Sequence, residues 1–226
     1  RRVASARAVS PVARGARLNV EADSLNSAIL AADAAPGTAA FDLFIKEVVR
    51  EMTIKSGQKC TAIRRAFVPK QHLGAAADAL SAKLSGVSVG NPRNESVRMG
   101  SLVSREQYDA VRAGIASLRE EARLAFDGSQ AQLVDADPAI AACIAPHLFV
   151  IDDASRAVRV HDIEVFGPVA TLCGYEVTTG ASLLEESQAV ELARRGQGSL
   201  VASVYSNDDA RLARIALELA DTHGRV

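Results

Sequence analysis

The feature that most constrains the fold is a segment with periodic apolar residues. A glycine and then a short apolar run follow this segment. Apolar residues recur at helical spacing along this segment, at Phe41, Phe44, Ile45, Val48, Val49 and Met52. The spacing predicts one apolar face of a helix of about four turns. Gly57 can end such a helix in the left-handed conformation. Ala66-Phe67-Val68 then predicts a strand that Pro69 ends.

The rest of the chain continues this alternation of helix and strand. Helical patterns follow in four places: 72–84, the segment that Ser104 opens, 187–193, and a last helix that Asp208 or Asp209 starts. Strand patterns are found at 17–21, 124–126, 148–151, 169–173 and 200–205. The alternation predicts an α/β fold with a mostly parallel sheet flanked by helices. Ser104 with Gln107 matches a capping box, which favours a local role for the Gln107 side chain.

Composition excludes several classes of protein. Hydrophobic residues make up 48% of the chain and charged residues 23%, which is typical of a soluble globular protein. The formal net charge of −1 gives no electrostatic basis for binding nucleic acid or a membrane surface. No apolar run approaches the roughly 18 residues of a membrane helix. The cysteines form no Cys-x-x-Cys pair, so we expect neither disulfides nor a metal site, and a cytoplasmic location.

The two ends of the chain indicate a piece of a longer protein. Residues 1–20 contain arginines but no acidic residue, a composition that resembles an organellar transit peptide. There is no initiator methionine, and the chain stops at Gly224-Arg225-Val226, where a strand pattern starts. We therefore interpret the basic start as the tail of a preceding domain.

Cys60 is the candidate nucleophile, because it lies on the predicted turn between the helix and the strand. Lys59, Arg64 and Arg65 surround it in sequence. Their charges would favour the thiolate if the side chains folded back toward the sulfur. The alternative is a small buried apolar cysteine. Sequence spacing leaves both interpretations open.

Histidines offer a second chemistry, a hydrolase in which Cys60 works with a histidine base. The candidates are His72, His147, His161 and His223. Adjacent His161 and Asp162 would point to opposite faces of an extended chain, which favours a satisfied loop histidine. No Gly-x-Gly-x-x-Gly or P-loop sequence is present.

Three motifs in order resemble the aldehyde dehydrogenase superfamily. Gly57-Gln58-Lys59-Cys60, with Arg65 five residues after the cysteine, resembles its catalytic-cysteine signature. Glu164-Val165-Phe166-Gly167-Pro168 resembles its Glu-x-Phe-Gly-Pro motif. The segment 19–26 stands where the family carries Glu-Leu-Gly-Gly, with Glu21 kept and the glycines replaced. This combination is similar to the branch of bacterial phenylacetate breakdown, whose dehydrogenases are often fused to a hydratase-like domain.

The resemblance implies roles for individual residues. Cys60 would be the nucleophile and Glu21 the general base that activates the deacylating water. Phe166 and Glu164 would contact the nicotinamide end of the cofactor, and Gln107 a cofactor ribose. Residues 1–21 would be the tail end of the cofactor-binding domain, and 22–226 the catalytic domain, truncated at both ends.

The implied reaction is the NAD(P)-dependent oxidation of an aldehyde through a cysteine thiohemiacetal and thioester. The branch points to a CoA-linked semialdehyde from aromatic-ring degradation, to NADP ahead of NAD, and to a homo-oligomer. A non-catalytic structural relative is the remaining alternative. Because the chain lacks most of a cofactor domain, we expect this piece alone to show no turnover.

Overall fold

The computed structural model describes residues 23–178 and 184–226. Within these ranges the chain forms a six-stranded sheet in the order β3-β4-β5-β2-β1-β6. Its strands are β1 (Ser27–Leu30), β2 (Arg65–Pro69), β3 (Arg123–Asp127), β4 (His147–Ile151), β5 (Val169–Tyr175) and β6 (Ala202–Tyr205). Neighbouring strands pair in parallel, except that β3 runs antiparallel to β4. The predicted mostly parallel α/β fold is confirmed.

Helices cover both faces of this sheet. They are α1 (Ala39–Thr53), α2 (Lys70–Leu84), α3 (Arg105–Leu118), the one-turn α4 (Arg159–Asp162), α5 (Ser187–Arg194) and α6 (Asp209–Leu219). The predicted helices are all found. His161 and Asp162, however, lie on α4 and not on extended chain, so the expected opposite orientation of their side chains does not apply.

Two apolar layers hold the helices against the sheet. Ala28 and Leu30 of β1 face α1 and α2, whereas Ile29 faces the layer of α3, α5 and α6. This alternation follows from the two-residue period of a strand. Because both faces are covered, β1 is completely buried.

Strand β1 was not predicted from the sequence. Its residues, Ser-Ala-Ile-Leu, have weak strand preference on average, yet β1 pairs on one side with β2 and on the other with the edge strand β6. Tertiary pairing therefore decides its conformation. The strand predicted at 17–21 and its Glu21 lie outside the described residues.

Candidate active site

Cys60 lies on an exposed turn between α1 and β2. Helix α1 ends at Thr53, and the next turn takes left-handed backbone angles at Lys55 (φ 51°), Ser56 (φ 55°) and Gly57 (φ 70°). A left-handed conformation costs a residue with a side chain about 1 kcal/mol or more. Such strain persists only where surrounding contacts impose it. The turn predicted for Cys60 between the helix and the strand is found.

Gly57 is required because two motifs touch at this point. A Cβ added to Gly57 would lie 2.1 Å from the carbonyl oxygen of Gly167, far inside van der Waals contact. Gly167 belongs to the Phe-Gly-Pro turn. The glycine therefore serves the close approach of the cysteine loop to that turn, as well as the positive φ angle.

Asn26 holds the backbone of the Cys60 turn. Its amide nitrogen donates to the carbonyl oxygens of Cys60 (2.8 Å) and Ala62 (3.0 Å). Its side-chain oxygen, Oδ1, accepts from Ser24 Oγ (2.7 Å) and from the backbone N–H of Val201 (2.9 Å). The sequence analysis missed this residue. An asparagine directly before a strand, fully buried, carries no local signal of such a role.

The cations near Cys60 in sequence are bonded elsewhere. Lys59 Nζ contacts the Glu51 carboxylate at 2.7 Å. Arg65 is fully buried and donates to main-chain carbonyls of Leu25, Leu192 and Ala193. Stabilisation of the thiolate would require these side chains to turn toward the sulfur. Their hydrogen bonds are made to other groups instead.

Arg64 joins the cysteine loop to the Phe-Gly-Pro turn. Its guanidinium donates to the carbonyl oxygens of Gly57 (2.7 Å) and Gly167 (2.8 Å). It also lies over the Phe166 ring, 5.4 Å from the ring centre. Arg64 Nε is 3.5 Å from Glu164 Oε1, and both side chains are almost completely buried. Burial lowers the pKa of Arg64, although the Glu164 charge acts against this shift.

The buried Glu164 carboxylate is held by the backbone that precedes β1. Its Oε2 accepts from the Ser24 backbone N–H at 3.0 Å. Burial raises the pKa of Glu164 above its usual value, even though Ser24 and Arg64 lower it. Among the described residues, Oε1 has no hydrogen-bond partner. This buried oxygen instead faces Arg64 Nε across the ion pair.

The three residues expected to contact a cofactor line one cavity of about 360 Å³. Its described lining is Asp23, Gln107, Ala110, Asp162, Ile163, Glu164 and Phe166. Gln107 Nε2 donates to the Phe166 carbonyl at 2.8 Å. The Ser104 hydroxyl caps α3 by accepting from the Gln107 N–H, but the Gln107 side chain does not return the bond. The favoured capping role of that side chain is wrong.

Histidine hydrogen bonds do not support a Cys–His pair. His161 lies between Arg65 Nη1 (3.0 Å) and the Ala154 carbonyl (3.0 Å), and burial lowers its pKa to about 4. His147 contacts the Ala145 carbonyl. His72 and His223 each bond to the residue before them in sequence. Within the described residues, no histidine is hydrogen-bonded to Cys60. The expected satisfied state of His161 is confirmed.

Other kinds of site were also searched within residues 23–178 and 184–226. No group of three or more metal-ligating side chains occurs in this part of the chain. No helix in the described ranges is long and apolar enough to cross a membrane.

Comparisons with known proteins agree with the geometry. The sequence profile of the aldehyde dehydrogenase family matches residues 1–225. A 3,4-dehydroadipyl-CoA semialdehyde dehydrogenase of Aromatoleum evansii is 54% identical over 216 residues, which are 95% of this chain and 40% of that protein. An aminoaldehyde dehydrogenase of Zea mays is 32% identical, over 73% of this chain and 30% of its own length.

A solved structure shows the same fold. Betaine aldehyde dehydrogenase from Staphylococcus aureus, in complex with NAD+, superimposes with a TM-score of 0.76 and 25% identity, over 91% of this chain and 37% of that one. The chain therefore spans 30% to 40% of the length of these relatives. Since the family profile covers nearly the whole sequence, this chain belongs to the aldehyde dehydrogenase family.

Proposed function

We propose that this chain is the cysteine-bearing catalytic part of an NAD(P)-dependent aldehyde dehydrogenase. One observation supports this most directly. Arg64 ties the loop of the exposed Cys60 to the turn of Phe166, and Glu164 and Phe166 line the adjacent cavity. A nucleophile on a loop that Arg64 joins to a cavity with one aromatic wall and one carboxylate suits transfer of a hydride to a planar ring.

The cavity fits the nicotinamide end of such a cofactor. Its volume of about 360 Å³ lies in the range of ligand sites, from about 300 to 1,000 Å³. Phe166 supplies a flat apolar surface, and Glu164, which lines the same cavity, supplies a carboxylate that suits a ribose hydroxyl. Gln107 fixes the Phe166 backbone. When bound, the nicotinamide supplies the hydride acceptor.

The protein's own residues carry the remaining steps. The Cys60 thiolate attacks the aldehyde carbon, and the oxyanion of the resulting thiohemiacetal is stabilised by nearby N–H groups, including that of Cys60. Loss of hydride from this carbon leaves an acyl thioester. Glu21 takes a proton from water, the water oxygen attacks the thioester, and the carboxylic acid and the Cys60 thiol are released.

The substrate we propose is a CoA-linked semialdehyde from aromatic-ring degradation. The support is the 54% identity to a relative whose name contains such a substrate. The branch resemblance favours phenylacetate breakdown, NADP ahead of NAD, a homo-oligomer and a cytoplasmic location. All three cysteines are free, in agreement with a reducing compartment.

Residues 22–226 would form the catalytic domain, and 1–21 the end of the cofactor domain. Dinucleotide affinity comes largely from the phosphates and adenosine, which the cofactor domain would bind. We therefore expect this piece alone to bind neither NAD nor NADP and to be inactive. A calorimetric dissociation constant at or below about 100 μM, about −5.5 kcal/mol, would contradict this division into domains.

The test of the reaction uses the full-length protein with CoA-linked semialdehydes and each cofactor. Cys60→Ala should abolish oxidation. Glu21→Gln should give a burst of reduced cofactor and then a slow steady state, because only deacylation needs the base. If both phases slow together, Glu21 acts before hydride transfer. Absence of oxidation with every aldehyde tried would favour the non-catalytic relative.

A further inference from the structure

A second cavity, of about 530 Å³, lies on another side of the cysteine loop. We call it the cationic groove. Its described lining is Arg50, Thr53, Ile54, Lys55, Ser56, Gln58, Pro92, Arg98, Met99, Gly100 and Ser101. The groove shares no lining residue with the cavity of Glu164 and Phe166. It runs from the end of α1 and Gln58, two residues before Cys60, to the loop 98–101.

All the charged side chains in the described lining of the groove are cationic. Arg50, Lys55 and Arg98 line it, and no acidic residue is among its described lining. Arg50 is paired with Glu47 at 2.9 Å, whereas Lys55 and Arg98 have no ion pair within the described part of the chain. Since the whole chain carries a net charge of −1, this cationic patch differs from the average surface. Its charge favours an anionic ligand.

The walls of the groove are fixed relative to each other. Ser56 Oγ donates to the Gly100 carbonyl at 2.8 Å, and Gln58 Oε1 accepts from the Val103 N–H at 2.9 Å. These bonds join the left-handed turn after α1 to the loop that carries Arg98. Lys55 itself has a positive φ of 51°, a strained conformation that persists only where surrounding contacts impose it. A preformed site loses less entropy when a ligand binds.

We propose that the cationic groove, where Arg50, Lys55 and Arg98 line one cavity beside the Cys60 turn, binds the phosphate groups of a CoA-linked aldehyde. The inference rests on the proposed function. The aldehyde and the phosphates of such a substrate lie at opposite ends of a long flexible arm. A surface groove that leads away from the nucleophile can therefore receive the phosphates while the aldehyde reaches Cys60. Lysine and arginine are the side chains that bind phosphate most strongly.

The test compares two charge-matched double variants of the full-length protein. Lys55→Gln with Arg98→Gln removes both groove cations that have no acidic partner. Lys46→Gln with Arg93→Gln removes two exposed charges outside the groove lining. CoA is titrated calorimetrically into each protein. We expect the groove variant to bind CoA about tenfold more weakly, a typical loss for two solvent-exposed charge contacts, and the control to match the wild type.

Kinetics give a second readout. For the groove variant, we expect the ratio of KM for a CoA-linked semialdehyde to KM for a neutral aldehyde to rise about tenfold, in step with the CoA affinity. Raising the salt from about 0.02 to about 0.3 M should weaken CoA binding to the wild type more than to the groove variant, because salt screens exposed charges.

Several results would overturn the inference. They are equal CoA affinity in the groove variant and the wild type, equal loss in the control variant, or an unchanged KM ratio. If a semialdehyde with a free carboxylate loses as much as the CoA-linked one, the groove attracts anions in general and is not a site for the CoA phosphates. If no aldehyde is oxidised, the proposed function fails, while the calorimetric comparison still decides whether the groove binds CoA.

Discussion

Replacing Arg64 by methionine tests the link between the two motifs. Methionine keeps much of the length of the side chain but removes both hydrogen bonds to the carbonyls of Gly57 and Gly167. It also leaves the Glu164 carboxylate without its cation. The side chains of Arg64 and Glu164 are 4% and 6% exposed. Water therefore cannot readily replace what is lost.

The magnitude follows from the burial of the pair. Removing one partner of a buried ion pair typically costs about 3–5 kcal/mol, because the other charge remains unpaired. We therefore expect Arg64→Met to lower the free energy of unfolding by about 4 kcal/mol. Arg119→Met is the control. It breaks an exposed ion pair with Asp127 and should cost about 0.5 kcal/mol or less. Urea denaturation measures both.

The loss should depend on pH. Burial already raises the pKa of Glu164 in the folded protein, and removing Arg64 raises it further. A carboxyl group whose pKa is higher in the folded than in the unfolded protein stabilises the fold when it is protonated. This contribution is complete at a pH below the unfolded pKa of about 4.3, and it disappears as the pH rises through the folded pKa. The deficit of Arg64→Met should therefore be smaller near pH 5 than near pH 8.

A double-mutant cycle completes the test. In a Glu164→Gln background no buried carboxylate remains, so Arg64→Met should cost less, by about 2 kcal/mol, and its pH dependence should disappear. A loss below about 1 kcal/mol for Arg64→Met alone, or an equal loss in both backgrounds, would refute the idea that the pair connects the two motifs.

Three further perturbations test the site and its support. Iodoacetamide should label Cys60 first, because its sulfur is on an exposed turn whereas burial raises the pKa of the other two thiols; equal labelling by mass spectrometry would contradict this. Gly57→Ala should lower the free energy of unfolding by more than about 2 kcal/mol, because its Cβ would meet Gly167. The control Gly37→Ala, also at positive φ but in open space, should lower it by about 1 kcal/mol. Similar thermal shifts in the two variants would exclude the close contact. The folded pKa of His161 is about 4, so stability should fall as pH drops from about 6.5 toward 4, and His161→Gln should remove part of that slope in urea titrations.

Local sequence patterns were sufficient for most elements. The face of Phe41, Phe44 and Met52 predicts α1 because helix periodicity is a property of neighbouring residues. The glycine after it and the apolar run before Pro69 likewise predict the cysteine turn and β2. The cysteine and Phe-Gly-Pro motifs were recognisable for the same reason, since each is contiguous in the chain.

Contacts between distant segments needed the tertiary structure. Strand β1 is a strand because β2 and β6 pair with it, and its own composition does not require that. Asn26 supports the Cys60 turn from 34 residues away. The sequence left open whether Lys59 and Arg65 turn toward the sulfur; an acid and main-chain carbonyls from other elements bond them instead.

The sequence by itself determined the α/β class, the turn of Cys60 and the two motifs that resemble the family. Only the tertiary structure decided how those motifs meet: Arg64 bonds the carbonyls of Gly57 and Gly167, and Gln107 bonds Phe166 in place of its own helix end. The physical reason is that a buried guanidinium or amide must find acceptors. Which acceptors lie within reach depends on the packing of segments far apart in the chain.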